Sequence, residues 1–198
     1  VTPAGSAVVF LCGPRDGGNS DAAGLTFAAS LARAGVAPRV IRLREHEVVP
    51  CRGCGACAET PGNRCPLSGG DAAEALFDAM DQALVLAFAS PIYFYHVPAL
   101  FKAFIDRAQR RYAVRLAGDR AAARPERPAH VLLVAGRRQG ERLFDGTLLT
   151  LKYFLWPFHR RLAEPCLLRG MDAPGDLAAD AAALARVAAC AEAAVRGT

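Results

Sequence analysis

Two stretches of this sequence carry residue types and spacings that can do chemistry. Cys51, Cys54, Cys57 and Cys65 stand at C-x2-C-x2-C-x7-C within a Cys-rich loop at 50-70, where Gly53, Gly55 and Gly62 let the backbone fold round a small object. Thiolates so spaced can converge on a 4Fe–4S cluster or on tetrahedral zinc, and the first three repeat the ferredoxin-type interval. The second stretch, LCGPRDGGNSD, runs from Leu11 to Asp21: Gly13, four residues, Gly18, then Asn19-Ser20 where a triphosphatase would have Lys-Ser. A loop between a buried strand and a helix aims N–H groups and the positive helix end at one spot, and Gly17-Gly18 permits close approach of an anion. Asn19 and Ser20 add side-chain donors. Without the lysine that would reach the β and γ phosphates, the cradle suits one terminal phosphate monoester, and triphosphate hydrolysis is disfavoured.

A cysteine phosphatase would need Arg where Gly18 stands, so Cys12 is read as core, as are Cys166 and Cys190. His46, His96, His130 and His159 show no metal spacing. Ser90 to Tyr95 places Tyr93, Phe94 and Tyr95 where a strand ends, with Pro91 stiffening the loop. Opposite a phosphate cradle, such a loop is a wall for a flat ring.

The elements that must position these residues alternate. Ala7 to Cys12 reads as a strand buried on both faces, Ser20 to Ala34 as a helix closed by Gly35, and Arg39 to Leu43 as a second strand. A helix capped by Asp71, with Leu76, Phe77 and Met80 on one face, leads to the strand ALVLAFAS. The stretch PALFKAFIDRAQRRY then forms a helix with Pro98 in its first turn, and HVLLVAG a fourth strand. Gly146 to Leu162 is expected as a helix interrupted by Pro157, PCLLRG as a fifth strand, and Asp176 to Val195 as the final helix. Five buried strands alternating with helices imply an α/β fold: a parallel sheet, helices on both faces, and a ligand site beyond the carboxyl ends of the strands. In a 2-1-3-4-5 order the glycine loop and the PIYFY loop face each other across the switch point, with Gly136 to Gly140 as a third loop.

At 198 residues, 53% hydrophobic, the chain reads as a single domain over 1-198, able to bury its own core. The opening VTPAGSAVVFLCG lacks a basic n-region and no apolar run is long enough to span a bilayer, so no membrane association is expected and the chain is read as cytoplasmic. Net charge is +5, but the arginines are dispersed and no groove-reading motif occurs, so no nucleic acid partner is expected. The amphipathic, aromatic stretch KYFLWPFHRRL is read as a contact between copies of the chain.

Together, LCGPRDGGNS, CRGCGACAETPGNRC, ASPIYFYHVPALFKAFIDR and VAGRRQG resemble the flavodoxin-like NAD(P)H-dependent FMN reductases and their relatives, the iron-sulfur flavoproteins. The resemblance covers most of the chain. It implies a flavodoxin-like three-layer sandwich holding FMN, with the phosphate on Arg15, Gly18, Asn19 and Ser20 beside Gly13. The ring would lie against Ser90, Pro91, Ile92, Tyr93 and Phe94 and the loop containing Gly136, Arg137 and Gly140. One departure is that the family usually has Ser where this chain has Gly13, removing a hydroxyl donor. The resemblance also implies NAD(P)H as electron donor, a small-molecule electron acceptor, and a homodimer or homotetramer. In the iron-sulfur relatives a compact four-Cys motif holds a 4Fe–4S cluster, which points instead to an electron carrier working with ferredoxin-like partners. A non-catalytic flavin- or metal-binding module is the third reading.

Overall fold

A computed structural model describes residues 7–118 and 125–197; Val1 to Ser6, the start of the opening stretch read above, lies outside the described residues. The sheet is parallel throughout. β1 (Ala7–Leu11) lies between β2 (Pro38–Arg42) and β3 (Val85–Pro91), and β3 pairs with β4 (Arg127–Ala135). Beyond β4 come β5 (Arg160–Leu162) and β6 (Cys166–Arg169), giving the expected order β2-β1-β3-β4-β5.

Every residue of β1 is buried because helices cover both faces of the sheet. Val8 and Phe10 face a core shared with α3 (Ala73–Gln82), α4 (Ala99–Arg107) and α6 (Asp145–Leu155). Ala7, Val9 and Leu11 face α1 (Asn19–Arg33) and α8 (Ala181–Arg196). The first core is an aromatic stack: Phe10 and Phe88 lie 5.1 Å apart, Phe77 and Phe104 4.7 Å, and Phe154 meets Phe88, Phe101, Phe104 and Phe158 edge-on. Such pairs contribute about 1 kcal/mol each beyond the area they bury.

Several element boundaries differ from the sequence expectation, each for a local reason. The fifth strand is split: Ala129 pairs with Leu162 and Leu132 with Cys166, so one extra residue is accommodated in the stretch ending at Pro165, which has no N–H to donate. The helix expected over Gly146 to Leu162 ends at Leu155. After one 3-10 turn, Trp156–Phe158, His159 adopts φ +54° and β5 begins. There Arg160 is buried and donates to the carbonyls of Met80 (2.8 Å) and Ala83 (2.5 Å), closing the end of α3; burial, then the nearby Arg127, lowers its pKa to about 10.

The helix starting after Pro98 breaks at Ala108 into α4 and α5 (Gln109–Leu116), where Arg107 turns inward to pair with Asp71 and to donate to Val49 O (3.0 Å). Asp71, expected as the cap of α3, instead lies one residue before the N-cap Ala72, where it accepts from Ala73 N at 3.1 Å. Asp180 splits the final helix, accepting from Ala183 N (2.9 Å) to begin α8 after the short α7 (Asp176–Ala179). Among the described residues no helix is long and apolar enough to cross a membrane.

Candidate functional site

β1 runs into the glycine loop, and α1 starts immediately after it with Gly18 at the N-cap. The first intrahelical bond runs from Ala22 N to Gly18 O (3.0 Å), which leaves the N–H groups of Asn19, Ser20 and Asp21 without intrahelical partners at the positive helix end. Asn19 and Ser20 border a cavity of about 230 Å³ at the carboxyl ends of β1, β3, β4 and β6. Gly13, Arg15, Gly18, Asn19, Ser20, Pro91, Ile92, Tyr93 and Gly136 line it, as expected from the sequence, and Pro14, Val134, Met171 and Asp172 join them. Met171 and Asp172 were missed by sequence reasoning although they follow the expected strand PCLLRG directly. The rule that ligands bind beyond strand carboxyl ends applies to that strand too.

Asn19 is the main departure in the cradle. Its amide nitrogen donates to Met171 O (3.1 Å) and Ala173 O (2.8 Å), and its amide oxygen accepts from Leu177 N (3.2 Å). The side chain is thus fully engaged in fastening α1 to the segment after β6, and only its backbone N–H faces an anion. Ser20 is buried, and its hydroxyl lies 2.8 Å from where a Cβ on Gly13 would sit. The space that a side chain at position 13 would enter is thus already filled by the Ser20 hydroxyl. The Arg15 side chain folds back over Gly18, with Nε 3.5 Å from where a Cβ would project.

A second brace lies under the loop. The buried Asp21 carboxylate accepts from Gly17 N (3.2 Å) and pairs with Arg44 at 2.9 Å, while Arg44 also donates to Gly13 O (3.4 Å) and pairs with Asp16. Burial alone would lower the Arg44 pKa, but Asp21 and Asp16 raise it, so the guanidinium stays charged and neutralises a carboxylate that would otherwise repel an anion. Cys12 lies beneath, buried, its thiol pushed well up by burial and by Asp21; it is a core residue and no nucleophile.

The aromatic loop closes on itself. Tyr93 N donates to His96 O (2.8 Å) and His96 N to Tyr93 O (3.0 Å), with φ +49° at Phe94 and +65° at Tyr95, a type I′ turn in which both central residues carry bulky side chains. That conformation costs on the order of 1 kcal/mol or more per residue and is held by flanking contacts. His96 Nε2 meets Thr150 Oγ1 at 3.0 Å, and Arg137 lies over the Tyr95 ring at 5.9 Å. The consequence is a division of labour among the residues expected to form the ring wall. Pro91, Ile92 and Tyr93 border the cavity, while Phe94 points away and is fully exposed. Ser90 is buried with its hydroxyl donating to Pro91 O (3.0 Å), and Arg137 and Gly140 sit behind the cavity around Tyr95.

The four loop cysteines come together around one separate cavity of about 450 Å³, closed on its far side by Arg107, Arg110, Tyr112 and Leu116. Arg110 holds the loop by donating to Asn63 O (2.9 Å), and Asn63 in turn donates to Cys57 O (2.8 Å). Burial first, then the nearby Cys65, pushes the Cys57 thiol up. Among the described residues no three Cys, His, Asp or Glu side chains converge as the ligands of a metal, so the expected ligand set is gathered but not closed. Cys166 is buried and Cys190 is half-buried against it, both packed in the core of the α1 and α8 face.

A parallel sheet in this order, with a glycine-rich turn into α1 opposite the β3 loop at the switch point, defines a flavodoxin-like mononucleotide-binding fold. The chain belongs to the NADPH-dependent FMN reductase family, whose model matches residues 6–155. It is accordingly an FMN-dependent oxidoreductase drawing electrons from NAD(P)H. Among solved structures, it is similar to an NAD(P)H:quinone oxidoreductase from Methanothermobacter marburgensis (21% identity, 94% of each chain covered, TM-score 0.70). It is also similar to an azoreductase from Bacillus anthracis str. Sterne (14% identity, 96% of this chain and 99% of that one, TM-score 0.65). A flavone reductase matches 96% of this chain at 14% identity and TM-score 0.65, and there the chain spans only 63% of the other protein. These likenesses show the fold. No curated protein matches the sequence.

Proposed function

We propose that the cradle holds FMN by its phosphate and that the protein passes electrons from NAD(P)H to a small planar acceptor of the quinone type. The observation that carries this reading is the set of free N–H groups at the start of α1, joined by Ser20 and Arg15, in the cavity bordered by Pro91, Ile92 and Tyr93. Bound there, FMN would supply the redox chemistry, taking hydride at its ring and releasing electrons to the acceptor. The protein's own residues bind and orient. The helix end and Arg15 neutralise the phosphate, Asp21 and Arg44 hold the loop in shape, and the Pro91–Tyr93 backbone and Gly136 flank the ring. No side chain is assigned as acid, base or nucleophile. The test is reconstitution with FMN followed by anaerobic NADPH. Micromolar or tighter binding with bleaching of the flavin absorbance supports the reading, and absence of quenching on titration with FMN defeats it.

A second reading, an electron carrier with a 4Fe–4S cluster and a ferredoxin-like partner, is supported by four thiols lining one cavity. Closing the set would require the Cys loop to draw in around the cluster. Anaerobic purification tests this: iron and sulfide at about four per chain support it, and their absence under strict anaerobiosis removes it. We also read the groove between α4, α5 and α6, where Leu149 and Tyr153 are exposed beside Tyr112, as the surface that meets a second copy in a homodimer. Light scattering on Leu149→Glu, expected to be monomeric, tests that surface.

A further inference from the structure

The segment after β6 contributes a carboxylate to a cavity otherwise furnished with donors. Asp172 lines that cavity beside Gly136, and its Oδ1 lies 2.5 Å from where a Cβ on Gly136 would project, so only glycine at 136 leaves room for it. The backbone around Asp172 is fixed from several directions. Its own N–H and that of Ala173 donate to Asp176 Oδ2 (2.8 and 2.7 Å), Met171 N donates to Ala135 O (3.1 Å), and Asn19 holds the carbonyls on either side. The Asp172 side chain itself makes no hydrogen bond or ion pair among the described residues.

Asp172 is exposed where it lines the cavity, so water serves its carboxylate until a ligand hydroxyl takes that place. It does not serve the phosphate, because like charges repel, and the phosphate is better matched by the start of α1 and Arg15. FMN has a polyol between phosphate and ring, and its hydroxyls are the donors that a carboxylate beside the third loop would meet. We propose that Asp172 is a positioning residue whose carboxylate accepts a hydrogen bond from a ribityl hydroxyl of the flavin. It thereby sets how far the ring extends from the phosphate toward Pro91–Tyr93. This inference rests on the FMN reading above.

The experiment is equilibrium binding, by flavin fluorescence quenching, of FMN and of riboflavin, which keeps the polyol and lacks the phosphate. Asp172→Ala is expected to weaken both ligands by the same factor, about tenfold for a charge-assisted hydrogen bond, and Asp172→Asn, which retains an acceptor, by less. Because the side chain supports no protein contact, both variants should melt at the wild-type temperature. Unchanged FMN affinity in Asp172→Ala would overturn the assignment, as would tighter FMN binding, which would put the carboxylate against the phosphate. A loss accompanied by a lowered melting temperature would overturn it too, by making Asp172 structural. Failure of the unmodified protein to bind either flavin would defeat the FMN reading itself, and this inference with it.

Discussion

Replacing Asn19 with Ala separates two roles for one residue. The sequence suggests a phosphate donor; the structure makes the side chain a clasp between α1 and the segment leading to α7. The substitution strips partners from the carbonyls of Met171 and Ala173 and from the N–H of Leu177, a residue that is itself buried. At about 1 kcal/mol net for each hydrogen bond, and more for a buried N–H left unsatisfied, the loss is about 3 kcal/mol. For a chain of this size that corresponds to a melting temperature lower by about 6 to 12 °C. Thermal and urea unfolding of the flavin-free protein measure it without contribution from the ligand. Asn19→Asp should be worse at neutral pH, since the new carboxylate would face two carbonyl oxygens, and should recover as the solution is acidified. If Asn19→Ala unfolds at the wild-type midpoint while its FMN affinity falls about tenfold, the clasp argument is wrong and the donor reading is right.

Arg15→Gln is expected to weaken FMN about tenfold and leave riboflavin unchanged, because the guanidinium serves only the phosphate; equal loss for both ligands would contradict this. Gly24 lies where α1 crosses β1 and β3, and a Cβ there would run into Leu11 and come within 2.9 Å of Ala89 Cβ. Gly24→Ala should therefore cost about 2 kcal/mol in urea unfolding despite the better helix propensity of Ala. His130, on β4 against Phe27, has its pKa pushed from 6.5 down to about 4 by burial and by Arg161. Between those values the unfolded chain binds a proton that the folded one refuses, so stability falls as pH drops from 6.5 toward 4, by up to about 3 kcal/mol. His130→Leu should flatten that part of the stability profile; an unchanged slope would mean that His130 does not titrate as its burial implies. His96, also lowered chiefly by burial, contributes a weaker slope of the same sign that remains in the variant.

The parallel order was legible because strands buried on both faces read as unbroken apolar runs, and because glycine after β1 and the proline that closes β3 mark the strand ends. What the sequence could not show is which donors and acceptors are already spent. Asn19 looks the same in one dimension whether it meets a phosphate or the carbonyls of residues more than 150 positions away. Phe94 was legible as an aromatic at a strand end, but its direction depends on two successive left-handed residues, a conformation no propensity favours for Phe-Tyr. The split of the fifth strand was hidden because Arg160 reads as a surface residue until its carbonyl partners at the end of α3 are known. Spacing singled out the four cysteines as a ligand set; in the structure they line one cavity, but among the described residues no three of them converge as ligands, because loop packing sets the distances between the thiols.

The clasp at Asn19 also bears on the order of events during synthesis. The family match ends at residue 155, yet the cradle is fastened by Met171, Ala173 and Leu177. A ribosome-bound chain that has emerged only through α6 possesses the glycine loop, the aromatic loop and the end of β4, but not the strap that fixes them. The glycine loop therefore takes its final shape only once the elements after β6 have docked, so local order at the start of α1 depends on contacts formed late in folding.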